Sequence, residues 1–160
     1  MGRIREEYVD TGKVRFVYKN FAILGPESNI AAEGGECAAE QDLFWEYHDF
    51  IFADQATVRS ALNEEGLIAL AADIGLDVDA FGECLYSKRY ASTVQQQAMS
   101  VQSLGVRGTP GFVINGVYIS GAQPFEVFQQ VIEEQLVALG ASDDNPSFGG
   151  QPIGPSPPGQ

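Results

Sequence analysis

The hydrophobic pattern of the chain predicts strands near its two ends. Residues 13–19 alternate polar and apolar side chains, which is the period of a half-buried strand. Residues 112–114 and 117–119 are two short runs of β-branched or aromatic residues, and Asn115-Gly116 separates them. Asparagine and glycine both tolerate the positive φ angles of a type I′ turn. The sequence therefore predicts a strand at residues 13–19 and a β-hairpin centred on Asn115-Gly116.

Between this strand and the hairpin, the apolar residues recur at helical spacing. Gly25-Pro26 is predicted to break the chain before the first helix, Asn29 to Glu40. That helix is weak, because Gly34 and Gly35 each cost about 1 kcal/mol relative to alanine. Asn63 is suited to open a later helix and Gly75 to end it. The other predicted helices occupy residues 41–53, 63–75, 77–85 and 87–104, and a last one occupies residues 124–140 after the hairpin.

The two ends of the chain differ from this pattern. Residues 4–8 are typical of the last turns of a helix whose beginning is missing, and Thr11-Gly12 ends it. Residues 141–160 are dominated by Gly, Pro, Ser and Gln. A segment with so little apolar surface to bury is predicted to be a disordered tail.

Composition narrows the class of protein. The 160 residues suit one domain, and a hydrophobic content of 44% is ample for a core. A net charge of −13 argues against nucleic acid or an anionic membrane as partner, since both require a basic surface. The chain has no apolar run of membrane-spanning length, and its N-terminus lacks the apolar core of a signal peptide. As written, the chain is expected in the cytoplasm.

Three ordered motifs carry a resemblance to a known family. The first is Gly105-Val106-Arg107-Gly108-Thr109-Pro110, followed by Phe-Val-Ile-Asn-Gly at residues 112–116 and Ser-Gly-Ala-Gln-Pro at residues 120–124. Together with residues 36–41, 44–49 and 75–81, they resemble the cis-proline segment and flanking helices of DsbA-family thioredoxin-fold thiol:disulfide oxidoreductases. The resemblance covers roughly residues 4–139. The family's Cys-x-x-Cys, which should precede Ile4, is absent.

The resemblance implies an α/β fold: a thioredoxin-like domain of the DsbA type with a helical insertion. Residues 1–24 and 105–140 would form the partial core, residues 25–104 the inserted helical subdomain, and residues 141–160 the tail. The first strand and most of the first helix would be missing. In the family that strand lies between the strand at residues 13–19 and the hairpin. The remaining strands could close up, a partner could fill the slot, a homodimer could form through the exposed edges, or the fragment could fold poorly.

The resemblance also points to Gly108, Thr109 and Pro110 as a site that binds a substrate peptide. In the family, the residue before the cis-proline exposes its backbone N–H and C=O to an extended peptide, a form of β-augmentation. We therefore predict that the Thr109–Pro110 bond is cis. Binding at this edge needs no cysteine and could persist where catalysis does not.

The two cysteines, Cys37 and Cys84, are too far apart in sequence to form the family's redox pair. Each lies in a predicted helix beside an acidic residue, Glu36 or Glu83, whose charge would raise a thiol pKa. They could form a structural disulfide, remain reduced and buried, or be reactive. We predict that they lie on facing helices within disulfide reach, which requires Cα atoms less than about 7 Å apart.

His48 is the single histidine in the sequence. It is expected on a helix surface, because no close-spaced pair of ligands or fourth ligand suggests zinc. Acid–base work with Asp49 is disfavoured, since adjacent helix residues point in different directions. Tyr47 and Trp45 are expected in the core or an interface, and the other acidic residues on a solvated surface. The sequence indicates no cofactor and no metal.

Three classes of function follow from these observations. The chain is expected to be a truncated, redox-inactive version of a DsbA-like thiol–disulfide oxidoreductase, whose full-length form would be extracytoplasmic. The alternative is a non-catalytic module that binds a peptide or protein partner through the cis-proline edge. A relative of the DsbA-fold glutathione enzymes that use serine is a third class, but its catalytic residue would also precede Ile4.

Overall fold

The computed structural model of the chain describes residues 2–53 and 61–140. The predicted disordered tail at residues 141–160 lies outside these ranges. The described elements, in chain order, are α1 (Gly2–Ile4), a π-helical turn (Arg5–Val9), α2 (Pro26–Ala39), α3 (Phe44–Ala53), α4 (Glu64–Asp73), α5 (Val78–Tyr86), α6 (Ala91–Ser103), β1 (Gly111–Ile114), β2 (Val117–Ser120) and α7 (Phe125–Ala138). The described residues divide into two compact units, one of residues 2–17 and 100–140 and one of residues 18–53 and 61–99.

The first unit is built around the predicted hairpin. Asn115 and Gly116 have φ angles of 47° and 93°, so the turn takes the left-handed conformation that these residues allow. Phe112 pairs with Ile119 across the antiparallel ladder. Their shared face packs on α7, where the rings of Phe112 and Phe128 meet edge to face with centroids 4.8 Å apart. The buried residues of this cluster are Ile4, Tyr8, Ile119, Phe128 and Ile132.

The N-terminal helical segment is tied to the same cluster. Tyr8, in the π-helical turn, is 2% exposed and donates a hydrogen bond from its hydroxyl to Glu133 of α7 at 2.7 Å. Gly12 has a φ of 76°, so the chain turns just after this segment, as Thr11-Gly12 predicts. The early helical segment, the hairpin and α7 therefore share one core.

The predicted strand at residues 13–19 is wrong. In the described residues the sheet contains β1 and β2 alone, and residues 14–20 form no regular element. Half-buried and exposed positions still alternate along the segment, as the sequence pattern requires. A period of two therefore orients the side chains, but a strand also needs a ladder with a second strand, and within the described residues the ladder joins β1 and β2 only.

The second unit packs four helices around the two cysteines. Its buried cluster includes Cys37 and Ala38 from α2, Leu67 and Ala71 from α4, and Phe81, Cys84 and Leu85 from α5, with Tyr47 from α3. Asn63 caps α4 as predicted, because its side chain accepts a hydrogen bond from the Gly66 N–H, and Asp77 caps α5 by accepting one from the Ala80 N–H. Pro26 is not part of a break but the first residue of α2, a position where its missing N–H costs nothing.

Gly34 and Gly35 lie inside α2 because its neighbours approach too closely for side chains. A Cβ at Gly34 would overlap the hydroxyl of Tyr47 and lie 2.9 Å from its Cζ. That hydroxyl is fixed in turn, since it donates to the Ala31 carbonyl at 3.1 Å. The two glycines lower the helix propensity of α2, but they also allow α2 to pack closely on α3.

Gly34→Ala is expected to destabilise the protein by about 1–3 kcal/mol, because overlap with Tyr47 outweighs the gain in helix propensity. Urea unfolding followed by far-ultraviolet circular dichroism measures the change. Gly82→Ala in α5 is the matched control: its Cβ would meet Ile68 at an ordinary 3.4 Å. That change should be neutral or stabilising by up to about 1 kcal/mol. Equal effects of the two changes would contradict the close approach.

Candidate functional site

The loop before β1 presents Thr109 and Pro110 to solvent. The Thr109–Pro110 peptide bond is cis, and both residues are exposed. The carbonyl of Pro110 accepts a hydrogen bond from the Gly121 N–H at 2.9 Å, which continues the hairpin ladder beyond β1. Within the described ranges, neither the N–H nor the C=O of Thr109 makes a backbone hydrogen bond. Both groups are therefore available to an external backbone.

The outer edge of β1 continues this row of available groups. Ile114 and Val117 flank the two-residue turn, so they form a hydrogen-bonded pair, and so do Phe112 and Ile119 two positions away. The N–H and C=O groups of Gly111 and Val113 consequently point away from β2. As far as the chain is described, β1 pairs with β2 alone. An extended peptide could hydrogen-bond along this edge.

A cavity of about 610 Å³ opens beside the loop in the same unit. Its wall is largely apolar and includes three phenylalanines, and the side chains that contribute polar groups are Arg3 and Gln123. The guanidinium of Arg3 lies 3.7 Å from the centroid of the Phe125 ring, and Gln123 donates to the Ser120 carbonyl at 2.8 Å. The lining residues are Gly2, Arg3, Ile4, Pro110, Phe112, Ala122, Gln123, Phe125 and Phe128.

Sequence reasoning did not find this cavity. The sequence pattern assigns residues 112–114 to the hairpin and residues 124–140 to the last helix, without indicating a space between them. Nothing in the pattern indicates that Arg3 and Gln123 lie at the same opening, since 120 positions separate them. The nearest sequence signal is the proline of the loop, which marks the strand start but not the space beside it.

The two cysteines form a buried disulfide in the second unit. The Cα atoms of Cys37 and Cys84 are 5.9 Å apart, which confirms that the helices face each other within disulfide reach. Each cysteine is 1% exposed. A bridge that closes a loop of this length stabilises a fold by about 4 kcal/mol in the chain-entropy model. The pair therefore fits a structural role, and its sulfur atoms are shielded from an external thiolate.

Glu36, next to Cys37, is buried, contrary to the expectation of a solvated acidic surface. It is 5% exposed, and its Oε1 accepts hydrogen bonds from Asn20 at 2.7 Å and from Gln97 at 2.8 Å. Burial raises the pKa of Glu36, while the hydrogen bonds from Gln97 and Asn20 oppose that rise. Burial also raises the pKa of Glu33, one turn earlier in α2. These carboxylates belong to the interior of the second unit.

The pKa of Glu40, at the end of α2, is shifted in the opposite direction to that of Glu36. Its carboxylate accepts hydrogen bonds from the Tyr90 hydroxyl at 2.6 Å and from the Arg89 guanidinium at 2.7 Å. Burial acts to raise the pKa of Glu40, but the bonds from Tyr90 and Arg89 and the charge of Arg89 lower it overall. Two acids on one helix are thus shifted in opposite directions.

His48 lies in an aromatic cluster rather than on an open helix surface. Its side chain is 25% exposed, and its ring lies 4.8–5.4 Å from those of Phe52, Tyr18 and Trp45. His48 Nδ1 is 2.9 Å from the Asp49 carboxylate, so these neighbours do meet, contrary to expectation. In the described part of the chain, no group of three or more His, Cys, Asp or Glu residues could hold a metal ion.

Comparison with known proteins identifies the family. The sequence profile described as thioredoxin matches residues 1–134, so the chain belongs to the thioredoxin family. The chain is 31% identical over 140 residues to the probable disulfide bond formation protein D of Bacillus anthracis, covering 84% of this chain and 63% of that protein. It is also 32% identical over 151 residues to the Na(+)/H(+) antiporter NhaA 3 of Salinispora tropica, covering 93% of this chain and 22% of that protein. The chain thus spans less than two thirds of the length of either relative.

Solved structures agree on the fold. The oxidised BdbD of Bacillus subtilis superimposes with a TM-score of 0.75 at 24% identity, covering 86% of this chain and 76% of that one. A thioredoxin-like oxidoreductase from Silicibacter pomeroyi DSS-3 gives a TM-score of 0.67. These findings confirm the predicted thioredoxin-like fold and the resemblance to the DsbA type. Every helix within residues 2–53 and 61–140 is too short or too polar to cross a bilayer.

The pKa values of Glu36 and Glu40 are shifted in opposite directions, so the two residues should change the stability of the protein with pH in opposite ways. The pKa of Glu36 is raised above its ordinary 4.5, so its contribution to stability is present below that pH and is lost as the pH rises through the folded value. The pKa of Glu40 is lowered, so its contribution is present above pH 4.5 and is lost as the pH falls through the folded value.

Urea unfolding between about pH 3 and about pH 7 tests both signs. Relative to the unmodified chain, Glu36→Gln should gain stability as the pH rises, and Glu40→Gln should lose it. The first substitution keeps an oxygen that accepts from Asn20 and Gln97, so it removes the charge alone. The same pH trend in both variants would contradict the assignment.

Proposed function

We propose that this chain belongs functionally to the DsbA-like thiol–disulfide oxidoreductases and supplies their substrate-binding edge. In this proposal, Gly108, Thr109 and Pro110 bind an extended segment of a substrate protein. Support comes from the thioredoxin family profile and from relatives named as disulfide bond formation proteins. The observation that carries the proposal is the exposed Thr109, whose N–H and C=O have no backbone partner within the described ranges.

The hydrogen-bonding edge and the cavity suit the same ligand. An extended peptide beside Thr109 and β1 would form backbone hydrogen bonds, which give affinity without reading sequence. The cavity beside Pro110 would then take an apolar side chain, because Phe112, Phe125 and Phe128 line it. Its volume of about 610 Å³ lies within the range usual for small-ligand pockets. The preferred segment is an extended, uncharged peptide with one large apolar residue.

We further propose that these 160 residues have no thiol–disulfide exchange activity of their own. Exchange requires a thiolate that can attack and a second thiol that resolves the mixed disulfide. The sequence contains no Cys-x-x-Cys, and Cys37 and Cys84 are each 1% exposed within their bridge. The activity of the whole family enzyme would need a redox pair that this sequence does not contain.

The alternative is a module that works by binding alone. The buried disulfide favours it, because the binding edge would then act without any reactive thiol beside it in this sequence. A structural disulfide is also more compatible with an oxidising, extracytoplasmic setting than with a reducing one. Peptide binding is common to both proposals, and only a redox assay separates them.

A fluorescein-labelled octapeptide of Ser, Thr and Gly with one central Phe is expected to bind the chain in a fluorescence anisotropy titration. Two further peptides carry N-methyl groups on alternate amides, in one register or the other. Only one register faces the edge of β1, so one methylated peptide should bind about tenfold more weakly or worse, while the other should bind normally.

Replacing the central Phe by Ser measures the part played by the cavity and should also weaken binding. Equal binding of both methylated peptides would exclude backbone pairing at this edge. No binding of any peptide would remove the proposed function.

Insulin reduction in dithiothreitol tests the redox statement. The chain is expected to give the rate of dithiothreitol alone, because its sulfur atoms are buried. The Cys37→Ser/Cys84→Ser variant should give that same rate. Turnover above this variant would identify the pair as a redox centre and overturn the structural role assigned to the disulfide.

A further inference from the structure

Val106 is buried in a loop that is otherwise largely exposed. Its side chain is 3% exposed, whereas its neighbours Gly105 and Arg107 are exposed. Thr109 and Pro110, which form the proposed binding edge, are exposed as well. A loop with a single deeply buried apolar residue is anchored at that residue, so what Val106 packs against determines how Thr109 is presented.

Val106 packs against the first residue of β1, at a point that only a glycine leaves open. A Cβ at Gly111 would lie 2.7 Å from Val106 Cγ1, 3.1 Å from the Gly108 carbonyl oxygen and 3.3 Å from Tyr118 Cε2. Gly111 is not among the residues with a positive φ angle. A glycine is therefore needed at this position because a side chain would not fit, and not because the backbone conformation demands it.

The loop, and not the strand, would give way to a side chain at this position. β1 is held by its ladder with β2, and on the opposite face Phe112 packs against Phe128 with ring centroids 4.8 Å apart. The loop has few comparable contacts, because most of its residues are exposed. A methyl group at Gly111 would push Val106 and the Gly108 carbonyl outward, and Thr109 follows Gly108 directly.

We propose that Gly111 is a positioning residue for peptide binding. Its missing side chain lets Val106 pack against the hairpin beside Tyr118, and this contact fixes the loop in the conformation that presents Thr109. The inference rests on the proposed function, since it names the residue that sets the geometry of that same edge. Gly111 itself contributes its backbone to the edge of β1, but its lack of a side chain is what orients the loop.

A double-mutant cycle tests the proposal on the full chain. Gly111→Ala should weaken binding of the Phe-containing octapeptide about tenfold, and it should shift the backbone amide resonances of Arg107, Gly108 and Thr109. Val106→Ala removes the Cγ1 atom that the new methyl would meet. In the double variant the closest of the three contacts is gone, so binding and the amide resonances should lie nearer to those of Val106→Ala alone than to those of Gly111→Ala.

Ser120→Ala is the matched control. Ser120 is exposed and pairs directly with Gly111 across the ladder, so it reports any general effect on the hairpin. Its binding and its loop resonances should equal those of the unmodified chain. A loss equal to that of Gly111→Ala would assign the effect to the hairpin as a whole and overturn the proposal.

The outcomes separate this inference from the function on which it rests. If the unmodified chain binds and Gly111→Ala binds equally well, the positioning role is wrong while the proposed function stands. If the unmodified chain binds no peptide, the proposed function fails, and the amide resonances alone decide whether Gly111 orients the loop. Failure of Val106→Ala to restore the double variant also overturns the proposal.

If Gly111→Ala does not fold, the single variant Val106→Ala still tests the positioning role. Val106→Ala, with Gly111 intact, removes the same contact from the loop side and leaves the hairpin unchanged. It should weaken binding about threefold and shift the Thr109 amide, since the anchor of the loop is lost. Unchanged binding and unchanged resonances in this variant would overturn the positioning role.

Discussion

The contact between the hairpin and α7 supports the candidate site. A two-stranded hairpin is marginally stable by itself, so β1 and β2 depend on the surface they cover. Phe112 and Ile119 meet Phe128 and Ile132 there, and Tyr8 closes the same cluster from the N-terminal segment. The loop with Thr109 and Pro110 ends where β1 begins, and the cavity is lined by aromatic residues of this contact. Without this packing, the available edge of β1 and the cavity would not exist.

The disulfide and the proposed binding edge belong to different units of this chain. The disulfide between Cys37 and Cys84 crosslinks the helices of the second unit, and its burial suits stabilisation. The first unit contains no cysteine and presents backbone groups and an apolar cavity. Here the features that could recognise a substrate are backbone groups and aromatic side chains.

The sequence by itself determined the features that depend on neighbouring residues. Asn63 and Asp77 cap helices through the N–H groups three positions ahead, and Asn115-Gly116 forms its turn because both residues tolerate positive φ. The family could also be predicted from the sequence, because its motifs run in order through the helices and the hairpin that follows them. Each of these signals lies within a short stretch of chain, where propensity and steric limits act directly.

Only the tertiary structure decided what depends on distant residues. Residues 13–19 have the alternation of a strand, but within the described residues they join no ladder, because alternation along one segment does not provide the second strand that a ladder needs. Glu36 is buried because Asn20 and Gln97, which is 61 positions away, converge on its carboxylate. Gly111 appears in sequence as an ordinary loop glycine, and its need for space is visible only with Val106 and Tyr118 in place. The pattern of polar and apolar residues specifies which face of an element is buried, but not which atoms that face contacts. The candidate site is formed by contacts between residues that are distant in sequence.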